Sequence, residues 1–249
     1  MINTQRIKFL NTYIDNLTAA EAKECVNQFI QARGTHYIVT PNSDIVVKMQ
    51  DDKELKDICE NADLILADGQ IIVKLSRRHG IPIKERVCMT DFVWDVFDLA
   101  IKKDYKVFLF GGRKDVLEKA TDNIRKKLPK LTIVDSYSPP FGFENNEKQL
   151  ETTNERIKNS GADILIVFLG CPKQEKFIAK NKDKYQVPMS ITMGGCVDFI
   201  AGEVKRAPRW MQDIGLEWFF RFLQEPRRMF ARYFIDDIRI FGIARKYRE

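Results

Sequence analysis

The amino-acid sequence predicts an α/β fold: a Rossmann-like, mainly parallel sheet with helices on both faces, followed by a C-terminal helical appendage. The first observation is a series of short, continuous apolar runs, which is the pattern of strands buried on both faces. The second is that amphipathic helical segments separate these runs, as in βαβ units. The third is the length of 249 residues, which allows one large core with a smaller addition.

Six strands are predicted, each rich in apolar and β-branched residues. They are HYIVT at 36–40, DLILA at 63–67, KVFLF at 106–110, LTIVD at 131–135, DILIVFL at 163–169 and MSITM at 189–193. Helical periodicity predicts helices at 18–32, 43–50, 53–60, 70–79, 90–103, 114–127, 146–159 and 172–183. The segment IKFLNTYIDNL at 7–17 is interpreted as a small hairpin.

Ligands of such sheets bind beyond the carboxyl ends of the strands, so the residues that follow each strand predict the binding site. In strand order these are Thr40 and Asn42, then Asp68, then Gly111 and Gly112, then a loop containing Phe141, then Gln174, and finally Gly194, Gly195 and Asp198. Glycine, amide, hydroxyl and carboxylate groups at six strand ends predict one polar pocket rim.

Several of these residues have a structural alternative. Asp68 is a candidate general base for a sugar hydroxyl, but an Asp-Gly pair also forms turns that cap a helix. Thr40 is a candidate ligand contact, whereas Asn42 is also a plausible helix N-cap. Gly111 and Gly112 allow backbone amides to approach a diphosphate, or merely form a tight turn.

Gln174 and Asp198 carry the same ambiguity. Gln174 lies one turn into a helix and is a candidate for pointing its amide at the pocket, but Pro-Lys-Gln-Glu is also an ordinary helix start. Asp198 is a candidate acceptor for a ribose or base, or a second helix cap.

Metal and disulfide chemistry are not expected. The five cysteines are scattered without a CxxC pair, and the two histidines are not part of a cluster with metal-ligand spacing. No DxD pair is present to hold a divalent cation on a nucleotide sugar. We therefore expect no cofactor and no metal, with arginines and helix dipoles stabilising a departing diphosphate.

The C-terminal region differs in composition, which predicts a core at 1–202 and an appendage at 203–249. The appendage carries 11 Lys and Arg against 7 Asp and Glu, so it holds +4 of the net charge of +6, together with 10 of the 27 aromatic residues. Arg228, Arg232 and Arg239 are spaced to share one helical face. Basic and aromatic residues together suit an anionic membrane surface; the residues expected there are Arg227, Phe230, Arg232 and Phe234.

Neither a signal peptide nor a membrane-spanning run is recognisable, so a cytoplasmic protein, peripheral on the inner face of the cell membrane, is expected. The appendage is alternatively a helix packed on the core or an interface between copies in a homo-oligomer. Its basic residues alternate with large apolar ones, which is atypical of a nucleic-acid groove, so no nucleic-acid partner is expected.

Several long segments resemble the WecG/TagA/CpsF family, glycosyltransferase family 26. They are IKFLNTYIDNLTAAEA, VTPNSDIV, LILADG, the ERV and TDF stretch, LFGG, LGCPKQEKFI, GGCVDFIAGEVKRAP and GLEWFFRFLQEPRR. The resemblance implies inverting, metal-independent transfer of a sugar from a UDP donor to a polyprenyl-diphosphate-linked sugar, with N-acetylmannosamine and undecaprenyl-diphosphate N-acetylglucosamine as the best-understood pair. It also implies functions for particular residues: Asp68 as base, Thr40 as its neighbour, Gln174 and Arg86 at the site, Asp198 on the nucleotide side, and Arg221 and Arg228 in the appendage.

Two alternatives to this function remain at the level of sequence. The first keeps the chemistry but uses another UDP-sugar, such as N-acetylmannosaminuronic acid or a hexose, in capsule or exopolysaccharide assembly. The second is a non-catalytic module that binds a nucleotide sugar or nucleic acid.

Overall fold

The computed structural model describes residues 5–247, the side chain of Asp213 excepted, and the predicted parallel sheet is confirmed. Six parallel strands run in the order β4-β3-β8-β7-β5-β6. Their bounds are β3 His36–Val39, β4 Leu64–Ile65, β5 Val107–Gly111, β6 Ile133–Tyr137, β7 Ile164–Phe168 and β8 Met189–Thr192. β6 begins and ends two residues later than the sequence predicts, because the apolar run does not mark where pairing with β5 starts.

Helices connect the strands and cover both faces of the sheet, as the continuous apolar strands predict. The helices of the core are α1 Ala19–Ala32, α2 Ser43–Lys48, α3 Lys53–Glu60, α4 Gln70–Arg78, α5 Met89–Lys103, α6 Lys114–Lys127, α7 Glu147–Asn159, α8 Lys173–Tyr185 and α9 Cys196–Ala201. Alternate residues of one strand face opposite cores: Phe108 and Phe110 belong to one cluster, and Val107 and Leu109 to the other.

The N-terminal hairpin predicted at 7–17 is present as β1 Arg6–Phe9 and β2 Thr12–Asp15. Asp15 is almost fully buried and accepts two hydrogen bonds from the Arg6 guanidinium, each 2.9 Å long. The second oxygen of Asp15 also accepts a hydrogen bond of 2.8 Å from the backbone N–H of Ile65 in β4. A single buried carboxylate therefore fixes the hairpin to the edge of the sheet.

Helix starts are set by side chains that cap the free backbone N–H groups. Thr18 and Glu21 form a reciprocal capping box at α1. Asp52 accepts from the N–H of Leu55 at the start of α3, and Asn42 accepts from the N–H of Ile45 at the start of α2. Of these caps, Asn42 lies directly after β3 and fixes the start of α2 beside the cavity described below.

The C-terminal region is helical, but it is interrupted more often than the sequence predicts. It consists of α10 Arg209–Ile214, α11 Glu217–Gln224, α12 Pro226–Ala231, a π-helical segment Arg232–Asp236 and α13 Arg239–Lys246. The prediction that Arg228, Arg232 and Arg239 share one face is wrong. Because the π-helical segment changes the helical phase, Arg228 and Arg232 line a cavity while Arg239 pairs with Asp51 at 2.9 Å.

The region from residue 203 onward packs against the core through buried side chains. Ile240 is fully buried, and Ile243 and Ala244 join the same cluster as the strand residues Phe108 and Phe110. The division of the chain into domains at residue 202 stays a prediction.

Candidate active site

One large cavity, of about 940 Å³, lies beyond the carboxyl ends of the strands and is closed on its other side by the C-terminal helices. Its lining includes Thr40, Asn42 and Asp68 from the loops after β3 and β4, and Gln174, Gly194 and Gly195 from the loops after β7 and β8. Arg221, Arg228 and Arg232 line it from the C-terminal region. The structure thus brings together most of the residues that the strand-end rule selects.

Asp68 lies on the floor of this cavity, directly before a sharp turn. Its backbone N–H donates a hydrogen bond of 3.1 Å to the carbonyl of Pro41, which ties the β3 and β4 loops together. The cap position of α4 is occupied by Gly69, with a φ of +150° that other residues rarely adopt. Asp68 itself is therefore not the helix cap, and its carboxylate is left to face the cavity.

The surroundings of Asp68 disfavour its charged form. Burial raises the pKa of Asp68 to about 6, and the nearby carboxylate of Glu217 acts in the same direction. The guanidinium groups of Arg86, Arg232 and Arg206 oppose this rise in the pKa. A carboxyl with a pKa near neutrality both accepts a proton readily and loses it again readily, as a general base requires.

A network of charges beside Asp68 contains two residues that sequence reasoning missed. Glu217 of α11 forms ion pairs with Arg86 and with Arg206, the second at 3.1 Å. Arg206 also donates to Asp91 at 2.7 and 2.9 Å. Glu217 and Arg206 lie within segments that carry the family resemblance, but their pairing joins distant parts of the chain, and residue types alone do not reveal it.

Thr40 and Asn42 both line the cavity, but Asn42 also caps a helix. Thr40 is 4% exposed and lines the cavity at the end of β3. Asn42 also lines the cavity, yet its side-chain oxygen accepts from the N–H of Ile45, so the helix-cap alternative holds for that oxygen.

Gln174 holds the β8 loop in position. Its side-chain oxygen accepts a hydrogen bond of 3.0 Å from the N–H of Gly194, and its side-chain nitrogen donates to Glu175 at 2.8 Å. Glu175 is fully buried, and this burial raises the pKa of its carboxyl. Gln174 lines the cavity, but its amide is engaged mainly in fixing the Gly194 turn.

The C-terminal part of the cavity lining carries a cluster of arginines, which pair with nearby carboxylates. Arg221 lies 3.4 Å from Asp198 and 2.9 Å from Glu225, and its guanidinium stacks over the Phe199 ring. Arg228 lies 2.8 Å from Glu225 and 3.6 Å from Asp198. Asp198 itself does not line the cavity; it holds the arginines that do. Two positioned guanidinium groups can bind a diphosphate and stabilise its charge.

Comparison with known proteins agrees with this arrangement. The family model described as "Glycosyl transferase WecG/TagA/CpsF family" matches residues 7–249. The chain belongs to this family. It is a glycosyl transferase, and the matched residues include the sheet, the cavity and the C-terminal helices.

Three curated relatives of this glycosyl transferase share one name. A protein of Bacillus subtilis strain 168 is 30% identical over 223 residues, 89% of this chain and 83% of its own length. A protein of Staphylococcus aureus strain MW2 is 28% identical over 91% of this chain and 88% of its own length. A third, of Bacillus spizizenii, is 27% identical over 87% of this chain and 82% of its own length. All three are named N-acetylglucosaminyldiphosphoundecaprenol N-acetyl-beta-D-mannosaminyltransferase.

In this glycosyl transferase the structure does not bring Gly111, Gly112 or Phe141 into the cavity. Gly111 has a φ of +97°, and a Cβ there would lie 2.8 Å from Leu169 Cδ2 and 3.1 Å from the Phe168 carbonyl carbon. The glycine is thus required for close packing of the β5 and β7 ends, which is the tight-turn alternative. Phe141 is 99% exposed, with Lys173 above its ring.

The four residues expected at a membrane fall into two groups. Arg232 and Phe234 line the cavity, whereas Arg227 and Phe230 are exposed and do not. Phe230 belongs to a larger set of exposed apolar side chains in the C-terminal region: Trp210, Ile214, Trp218, Phe219, Leu223, Phe230, Phe234, Ile235, Ile238 and Phe241. None of the helices within residues 5–247 has the length and apolar character needed to cross a bilayer.

Within the same residues, no three His, Cys, Asp or Glu side chains come together as metal ligands would. The cationic groups that face the cavity are instead Lys48, Arg86, Lys205, Arg206, Arg221, Arg228 and Arg232.

Proposed function

We propose that this chain transfers N-acetylmannosamine from its UDP derivative to N-acetylglucosamine carried on undecaprenyl diphosphate, with inversion at the anomeric carbon and without a metal ion. The relatives' shared name supports the donor and acceptor. The observation that carries the mechanism is Asp68, a carboxyl whose pKa burial raises to about 6, on the floor of a cavity lined by arginines.

The reaction is a single displacement. Asp68 accepts the proton of the acceptor hydroxyl while that oxygen forms a bond to the anomeric carbon of the donor sugar. The bond between this carbon and the β-phosphate oxygen breaks from the opposite side, so UDP leaves and the configuration inverts. Arg221 and Arg228 stabilise the negative charge that develops on the diphosphate. Arginine in this position supplies the positive charge that a divalent cation supplies in other transferases.

The exposed apolar side chains of the C-terminal region support a peripheral location on an anionic membrane surface at the cytoplasmic face, where a lipid-linked acceptor is reached. An interface between copies of the chain is the alternative function of this surface. A vesicle-binding measurement distinguishes the two.

The test is transfer from a panel of UDP-sugars to a short-chain lipid diphosphate bearing N-acetylglucosamine, with and without EDTA. We expect product from UDP-N-acetylmannosamine, unchanged by EDTA, and at least a 100-fold lower rate for Asp68→Asn. Product from another donor only would overturn the donor assignment, and activity lost with EDTA would overturn the metal independence. UDP binding without transfer from any donor would favour a non-catalytic module.

A further inference from the structure

A second polar cluster lies in the same cavity, where the C-terminal region meets α2, and the mechanism above does not use it. Asp237 is 7% exposed and lines the cavity. One of its carboxylate oxygens, Oδ2, accepts a hydrogen bond of 3.1 Å from the hydroxyl of Ser43. The other oxygen, Oδ1, is buried and has no hydrogen-bond partner among residues 5–247.

Arg232 has a hydrogen-bond donor without an acceptor. Its Nε lies 3.9 Å from Asp237 Oδ2, which is too far for a hydrogen bond. This Nε is also buried, and the described part of the chain supplies it with no acceptor. A donor and an acceptor thus lie unsatisfied beside each other in the cavity wall, and leaving such buried groups unpaired is unfavourable.

We infer that Asp237, Arg232 and Ser43 form a subsite for the hydroxyl groups of the acceptor sugar. A sugar hydroxyl donates one hydrogen bond and accepts others, so it would satisfy the Asp237 oxygen and the Arg232 N–H once a rotation of the two side chains turns these buried atoms toward the cavity. This inference rests on the proposed function and assigns one end of the cavity to the sugar that is attacked.

The surroundings favour a neutral sugar over a phosphate at this position. Asp44 and Asp236 line the cavity beside Asp237. Among the described residues of α2, the one cation that lines the cavity besides Arg232 of the C-terminal region is Lys48, and it is paired with Asp44 at 2.9 Å. Carboxylates so close to the subsite repel a phosphate. The aromatic rings of Trp218 and Tyr233 also line the cavity and offer an apolar surface to the face of a pyranose ring.

The position also agrees with the chemistry. Arg232 and Asp68 line the same cavity, and the charge of Arg232 lowers the pKa of the Asp68 carboxyl. In the proposed reaction the diphosphate of the donor is held by Arg221 and Arg228, which pair with Asp198 and Glu225. An acceptor sugar bound by Asp237 would present a hydroxyl to Asp68 within the same cavity.

The test compares Asp237→Asn with Asp122→Asn, the same change at an exposed carboxylate of α6 that does not line the cavity. For Asp237→Asn we expect the KM for the short-chain lipid diphosphate bearing N-acetylglucosamine to rise about tenfold, which corresponds to about 1.4 kcal/mol. The KM for the UDP-sugar and the inhibition constant of the same lipid diphosphate without its sugar should change less than about twofold. Asp122→Asn should behave like the unmodified chain.

Deoxygenated acceptors make the test specific to a hydroxyl. One acceptor lacking a single hydroxyl should show the same rise in KM with the unmodified chain, and no further rise with Asp237→Asn, since both remove one interaction. An unchanged acceptor KM in Asp237→Asn would overturn the inference, as would a matching loss of affinity for the sugarless lipid diphosphate. Either result would leave the proposed transfer itself intact, because the unmodified chain would still form product.

Discussion

Asp68 carries a negative charge in surroundings that disfavour one, and this has consequences for both stability and rate. Since burial raises the folded-state pKa to about 6, above its ordinary value of 3.8, the folded protein binds the proton more tightly than the unfolded chain. Asp68 therefore makes the folded state less stable as the pH rises from about 4 to about 6, and the full penalty persists above pH 6.

Replacement of Asp68 by Asn removes this penalty. We expect Asp68→Asn to increase the free energy of unfolding at pH 7.5 by about 1–3 kcal/mol, and to have little effect near pH 3, where the carboxyl of the original residue is mostly protonated in both states. Urea unfolding at the two pH values measures this. A variant that is less stable at pH 7.5 would show that the charged Asp68 stabilises the fold instead of destabilising it.

The pH dependence of transfer provides a second measurement on the same carboxyl. The rate should rise with pH through about 6 and then level off, because the base works only after it has lost its proton. Since the Glu217 carboxylate raises the pKa of Asp68, we expect Glu217→Gln to move the rise in kcat/KM to lower pH. A shift to higher pH would show that Glu217 acts chiefly by holding Arg86 against Asp68.

At the scale of elements, the turn after β5 has a structural function that the sequence leaves ambiguous. Gly111→Ala places a Cβ against Leu169 and the backbone of Phe168 at a φ of +97°. We expect a loss of about 2–4 kcal/mol of unfolding free energy from overpacking and backbone strain.

A matched control exists at the end of α7. Gly161 also has a positive φ, of +64°, but a Cβ there meets nothing within 4 Å. Gly161→Ala should therefore lose only about 1 kcal/mol, from backbone strain alone. Equal losses for the two variants in urea unfolding would contradict the close-packing explanation of Gly111.

The six strands and the core helices could be predicted because their patterns are local. Runs such as DILIVFL are buried on both faces, and their polar ends converge by the topology of parallel sheets, so Thr40, Asp68 and Gln174 line one cavity. Glu217, Arg206 and Asp237 are not predicted there, because their positions in the cavity lining depend on how the C-terminal helices dock. The π-helical segment at Arg232–Asp236 has no local signal in the sequence and alters which arginines face the cavity.

For the whole molecule, the exposed apolar side chains predict binding to membranes. Leu223 and Phe230 are 60% and 55% exposed. We expect a variant with both changed to Ser to bind vesicles containing phosphatidylglycerol at least tenfold more weakly. The reason is that burial of each apolar side chain in the membrane contributes about 1–2 kcal/mol to the binding free energy.

The control for this measurement is Phe141→Ser. Phe141 is more exposed than either residue but lies outside the C-terminal region, so its change should leave vesicle binding unaltered. If the double variant binds vesicles normally and instead loses self-association in sedimentation, the surface is an interface between copies.

The hairpin fixed by Asp15 has a consequence for how copies of the chain meet. Without it, the short strand β4 would present unpaired backbone groups along the sheet edge, and an open edge is a template for joining a neighbour's strand. On a membrane surface, the location proposed above, copies of the chain would collide often. A covered edge lets such collisions end in separation instead of in cross-strand aggregates.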